Sequence, residues 1–290
     1  MAAPESIKKL RILLMPFFST SHIGPFTDCQ QPTGDADLLL LDHEYRKKTS
    51  SSDEKRYKPI VGRISEHSSL GPSCSSWVEQ CLQLSGRWVR GSDTDLAVRL
   101  ATSSPDAVEL TLAVTPANVH VVRSALGRHG AEASGAVKIA TYPFPLVDGL
   151  APGVENLSAA GDDEWRIDAV AVDEALTLPA QEALIREQSP DAVITDVHFV
   201  TWNNAVAAEL GVPCVTFNVV GIFSTLVMYH LGRDAAVVRD GQEVTVPGLP
   251  GPDIRIPVSE LPEFLRCRQE HDGIRQCHVA MGRCFGVALN

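Results

Sequence analysis

The sequence predicts an α/β fold in which a parallel sheet is covered by helices on both faces. Three observations carry that prediction. The strand candidates are apolar at consecutive positions, as in RILLMPFF at 11–18, which suits strands buried on both sides. Strand-like and helix-like segments alternate from residue 96 to residue 231. Proline and glycine fall at the joints, with Pro116 opening a helix and Gly130 following its end.

The elements follow in order. Residues 11–18 form the first strand, with Pro16 near its end, where a missing N–H is tolerated. The loop STSHIGPF comes next, and Pro25 marks entry to a helix with Thr27 or Asp28 near its start. That helix does not follow. Residues 29–95 mix Ser-rich, basic and apolar fragments with no sustained period, and they read as an irregular or disordered insertion. The pair Thr27-Asp28 recurs as Thr94-Asp95, and the delayed helix LAVRLA at 96–101 follows the second copy. The chain reads naturally with Asp28 joined to Leu96.

Residues 109–114 are the second strand, and 116–128 a helix with Val119, Val122 and Leu126 on one face. Residues 137–142 are the third strand, ending at Pro143-Phe144-Pro145. After a loop rich in Pro, Gly and acids, 167–188 reads as one long helix with Pro179 as its expected kink. A strand at 192–195, a helix at 202–210, a strand at 212–219 and a helix at 221–231 complete the alternation. The proline-rich stretch 244–265 is expected to wrap the surface, followed by a helix within 272–284 and a last strand at 285–290.

A length of 290 residues allows one large or two modest domains. The 25 Lys+Arg against 36 Asp+Glu give a net charge of -11, which disfavours nucleic-acid binding. The 7 cysteines are irregularly spaced without a C-x-x-C pair, which argues against a zinc ribbon or disulfide framework and fits a reducing, cytoplasmic location. Cys277-His278 and Cys284 are too sparse for a metal site. The apolar run near the N-terminus lacks a small-residue cleavage site and reads as the first strand, not a signal peptide. No stretch approaches the roughly 20 apolar residues of a membrane span.

In an open parallel sheet, ligands gather outside the C-terminal strand ends. His22 follows the first strand there, and Asp196 follows residues 192–195. Brought together, the carboxylate would fix one imidazole nitrogen as a donor and raise the basicity of the other, which could deprotonate a hydroxyl. His22 reads equally as a loop histidine, and Asp196 as the cap of the helix TWNNAVAAEL. His198 is a competing base. Neither a glycine-rich phosphate cradle nor a G-x-S-x-G elbow occurs.

The stretches ILLMPFFSTSHIGPFTD, LAVRLA, VELTLAVTPANVHVVRSAL, TYPFPLVDGLAPGVENLS, DAVITDVHFVTWNNAVAAELGVPCVTFNVVGIFS and GVALN together resemble the N-terminal domain of plant family-1 UDP-glycosyltransferases. The resemblance covers most of 7–28 and 96–290. It implies a Rossmann-like parallel sheet, the acceptor-binding half of a GT-B architecture over 7–290, interrupted by 29–95. The donor-binding domain, with its W-A-P-Q and H-C-G-W-N-S signature, is absent from this expectation. It further implies inverting sugar transfer from a UDP-sugar to a hydroxyl of a small phenolic or flavonoid-like acceptor. His22 matches the family's base and Asp196 its partner; Phe18, Ser21, Gly24, Pro25, His198, Phe199 and Phe223 are expected to line the acceptor side. No metal, tightly bound cofactor or membrane span is expected, and the chain alone is expected to turn over negligibly. The alternative is a non-catalytic small-molecule-binding or regulatory protein that keeps the acceptor cleft. A third reading, half of a nucleotide-sugar or NAD-dependent oxidoreductase, lacks its glycine fingerprint.

Overall fold

The first strand, β1 (Leu10–Met15), sorts its side chains into two apolar layers. Ile12 and Leu14 enter one, Leu13 and Met15 the other, and all four are buried. In this computed structural model the described residues are 8–19, 23, 92–220, 222–233, 243–248, 252–261, 263–266, 276–277 and 279–289.

After β1 come α1 (Asp93–Ser103), β2 (Val108–Val114), α2 (Val119–Gly127), α3 (Ala131–Ala136) and β3 (Val137–Thr141). Next are α4 (Leu157–Ala160), α5 (Glu164–Val172), α6 (Glu174–Gln188), β4 (Ala192–Asp196), α7 (Val200–Leu210) and β5 (Cys214–Asn218). The last are α8 (Ile222–Arg233), β6 (Glu243–Thr245), β7 (Arg255–Pro257), α9 (Glu263–Arg266) and β8 (Gly286–Leu289). The main sheet runs β3-β2-β1-β4-β5-β8 and is parallel throughout. This is a Rossmann-like sheet with helices on both faces, as one half of a GT-B fold has.

Leu96, Ala97, Leu100 and Ala101 of α1 cover one face with Val122 and Leu126 of α2. Ile167 and Val170 of α5, Leu184 and Ile185 of α6, and Trp202 and Val206 of α7 cover the other. Each such buried Leu, Ile or Val side chain stabilises the fold by roughly 1.5–3 kcal/mol relative to exposure, and each alanine methyl by less. A buried polar chain crosses the second layer. Trp202 Nε1 donates to Gln181 Oε1 at 2.7 Å, and Gln181 Nε2 donates to the Tyr142 hydroxyl at 3.2 Å.

Three details differ from the sequence reading. The single helix at 167–188 is two helices, broken at Asp173 and not at Pro179. The Asp173 carboxylate caps α6, accepting the N–H groups of Ala175 at 2.9 Å and Leu176 at 3.3 Å. A side chain that satisfies two orphan donors restarts the helix there, whereas Pro179 is accommodated inside it. The stretch 244–265 does not merely wrap the surface. β6 and β7 pair antiparallel, and Val246, Leu261 and Leu265 bury themselves against Val227, Met228 and Leu231 of α8. The first helix starts at Asp93, three residues before the LAVRLA run, because Ser92 and Asp95 cap it.

Candidate functional site

In this strand order the connection from β1 turns toward β2 while β4 lies on the other side of β1. The C-terminal ends of β1 and β4 therefore flank the switch point at which open α/β sheets bind ligands. Met15 and Thr195 are register partners at that end. The segment after β1 and the residue after Thr195 both open onto it.

Asp196 closes β4 and is fully buried. Its extended backbone lets the carboxylate fold back over the next turn, Val197–Phe199. Oδ1 accepts the backbone N–H of His198 at 3.0 Å and lies 2.6 Å from His198 Nδ1. With the carboxylate ionised, Nδ1 must be a protonated nitrogen of the ring. The imidazole stacks on Phe17, with centroids 4.0 Å apart and planes at 15°. The Cys277 thiol donates to the His198 carbonyl at 3.1 Å. Burial, partly offset by a hydrogen bond with Thr201, pushes that thiol up to about 12.

The remaining expected site residues fall into groups. Phe18 and Phe199 are 2% and 0% exposed and pack together at 5.2 Å between ring centroids, within the layer shared with α5, α6 and α7. Phe144 meets Phe18 edge-on at 5.1 Å. Phe223 stands on a different element, 52% exposed in the first turn of α8. Ser21, His22, Gly24 and Pro25 lie outside the described residues. Their neighbours Ser19 and Ile23 are described, and the Ile23 N–H donates to the Ser19 carbonyl at 3.0 Å.

A latch holds the loop before α4 over the same end of the sheet. Leu157 N–H donates to the Phe18 carbonyl at 3.0 Å. Asn156 Nδ2 donates to Asn118 Oδ1 at 2.7 Å, Asn118 Nδ2 donates to the Glu155 carbonyl at 2.9 Å, and Glu155 Oε2 accepts the Ala117 N–H at 2.8 Å.

Asp93 is a residue that the sequence reading did not single out. It begins α1, is 0% exposed, and neither carboxyl oxygen has a hydrogen-bond partner among the described residues. Burial and then the negative charge of Asp196 hold its carboxyl well above the usual carboxylate range; its own backbone N–H offsets part of this. The available signal was the Thr-Asp repeat at 94–95. Among the described residues no group of three or more His, Cys, Asp or Glu could hold a metal ion, and no helix is long and apolar enough to cross a membrane.

No family model matches the sequence. A UDP-glucosyl transferase 73DL1 from Saponaria officinalis is 32% identical over 196 residues, which is 66% of this chain and 39% of that protein. An abscisate beta-glucosyltransferase from Phaseolus angularis is 32% identical over 122 residues, 40% of this chain and 24% of that one. The solved structure of UGT73P12 from Glycyrrhiza uralensis, complexed with glycyrrhetinic acid 3-O-monoglucuronide, superposes with a TM-score of 0.50 at 18% identity, covering 93% of this chain and 42% of that one. The fold is thus of the GT-B, UDP-glycosyltransferase-like kind related to the plant enzymes, and the chain spans well under half the length of these relatives.

Proposed function

We propose that this chain supplies the acceptor-binding half of an inverting UDP-glycosyltransferase acting on a small hydroxyl-bearing, phenolic acceptor. The observation that carries the reading is Asp196, a buried carboxylate at the switch point, already engaged with an imidazole. The similarity to a protein named a UDP-glucosyl transferase supports the donor class.

In the proposed reaction His22 takes the proton of the acceptor hydroxyl, and Asp196 balances the imidazolium that forms. The oxygen forms a bond to the anomeric carbon from the face opposite the leaving group. The bond from that carbon to the diphosphate breaks, and its electron pair leaves with UDP. No metal enters this scheme. His198 holds Asp196 Oδ1 from the protein side. This reading assigns the chain the acceptor side alone, the matched stretch being 39% of the Saponaria relative.

The test joins this chain to the C-terminal portion of the Saponaria relative and supplies UDP-glucose with a panel of phenols. Transfer is expected, and His22→Ala and Asp196→Asn should each lower kcat by roughly a hundred- to ten-thousand-fold. His198→Ala should cost less than either. Equal loss from His198→Ala with none from His22→Ala would move the base to His198. The unfused chain should bind acceptor in calorimetry without turnover. Robust His22-dependent product from it would overturn the assignment of the donor side elsewhere.

A further inference from the structure

Among the described residues a hydrogen bond joins Ile23 to α1. Thr94 Oγ1 donates to the Ile23 carbonyl, and both residues are buried. A threonine hydroxyl bonded to the carbonyl four residues earlier is a common feature of helices. In this sequence the threonine four residues after Ile23 is Thr27, yet Thr94, 71 residues away, makes the bond. Ile23 also shares an apolar cluster with Ala97 and Ala101. If Leu96 followed Asp28 directly, those alanines would stand seven and eleven positions after Ile23, the spacing of one helical face.

The two tripeptides are Phe26-Thr27-Asp28 and Asp93-Thr94-Asp95. The second begins α1. Its Asp95 does what a helix start needs: Oδ2 accepts the Ser92 N–H at 2.8 Å and the Ser92 hydroxyl at 2.9 Å, while Oδ1 meets His129 Nε2 at 2.9 Å. Its first residue does not fit. A carboxyl sits fully buried with both oxygens unpartnered among the described residues, at the place where the other tripeptide carries phenylalanine.

We propose that Asp93-Thr94-Asp95 is a stand-in for Phe26-Thr27-Asp28: it fills the first helical turn those residues are patterned by sequence to fill, and through the Thr94–Ile23 bond it holds Ile23, the residue that follows His22 in the chain. Thr94 is then a positioning residue, and Asp93 the mismatch in an otherwise serviceable copy. The proposal stands on the junction itself and does not require the glycosyl-transfer reading.

The test uses the full 290-residue chain. Asp93→Phe completes the copy and removes a buried, unpaired carboxyl, so the melting temperature should rise by about 3 °C or more. Asp93→Asn, which leaves an unpaired amide, should give a smaller rise. Thr94→Val should speed exchange of the Ile23 amide about fivefold, with Thr94→Ser restoring the parent rate. Thr27→Val should leave both readouts unchanged. An unchanged or lowered melting temperature for Asp93→Phe overturns the proposal. So does a Thr27→Val effect as large as that of Thr94→Val, because Thr27 would then hold the turn itself.

Discussion

Two carboxyls near the switch point meet opposite fates, and hydrogen bonding decides which. Asp196 Oδ1 accepts the His198 N–H and lies 2.6 Å from its Nδ1, whereas among the described residues neither oxygen of Asp93 has a hydrogen-bond partner. Burial therefore favours the protonated form of Asp93 in the folded chain, and the Asp196 charge adds to the effect. The unfolded chain releases that proton once the pH passes the ordinary carboxylate range, while the folded chain retains it. The folded state then binds more protons, so this group lowers stability progressively as pH rises from there toward its folded-state value. Asp93→Asn removes the effect. The melting-temperature gap between Asp93→Asn and the parent should accordingly widen as pH rises through the range above about pH 4. A gap that is constant or narrows across that range would show that Asp93 ionises normally in the folded chain. The sequence made Asp196 visible, because a polar residue ending an apolar strand stands out by pattern. Asp93 was hidden, because the helix start it opens is tied down through Thr94, whose hydroxyl bonds the Ile23 carbonyl 71 positions away, a separation that no local pattern reports.

The strands and most helices were legible because each carries its own signal. Consecutive apolar residues in β1 and β4 mark strands buried on both faces, alternation marks the start of β2, and Pro116 and Gly211 sit at helix joints. What the sequence did not disclose is decided between elements. The break at Asp173 arises from a side chain choosing backbone donors ahead of it, and the β6–β7 pair exists because it and α8 bury a common cluster. The polar chain through Tyr142, Gln181 and Trp202 is of the same kind, since it ties the end of β3 to α6 and α7. Gln181→Leu would leave the indole N–H and the tyrosine hydroxyl buried without each other's bridge. The expected loss is about 2–4 kcal/mol in urea unfolding, against about 1 kcal/mol for an exposed capping change such as Asp173→Ala. A Gln181→Leu loss below that of Asp173→Ala would mean that apolar packing alone binds these three elements. Deleting 29–95, so that Asp28 meets Leu96, tests the same level. It should yield a folded chain with a higher melting temperature, as a single continuous helix start replaces the Asp93 turn. A lower one would make those residues part of the body they interrupt.

Across the whole molecule, the sheet unites what the layers separate. β1 lies third from one edge, flanked by β2 and β4, and supplies both apolar clusters, whereas β8 closes the other edge on β5 alone. Three cysteines report on that arrangement. Cys214 begins β5, Cys284 precedes β8, and Cys277 lies under the His198 carbonyl. Burial raises all three thiols, Cys277 to about 12, so the reactive thiolate is scarce in the folded chain. The Cys284 sulfur lies 2.6 Å from the Met281 carbonyl and 3.1 Å from the Gly286 carbonyl, so that its single proton can serve either, and the second contact ties it to the edge strand. If the sheet opens as one unit, iodoacetamide at about pH 8 should spare these three in the native chain and modify them together along the urea transition seen by circular dichroism. Peptide mapping resolves each site. Earlier modification of Cys277 and Cys284 than of Cys214 would instead show β8 parting from β5 while the strands flanking the switch point stay paired. That outcome would separate the edge from the site, because Asp196 and β1 would keep their geometry after the Cys277–His198 contact is gone.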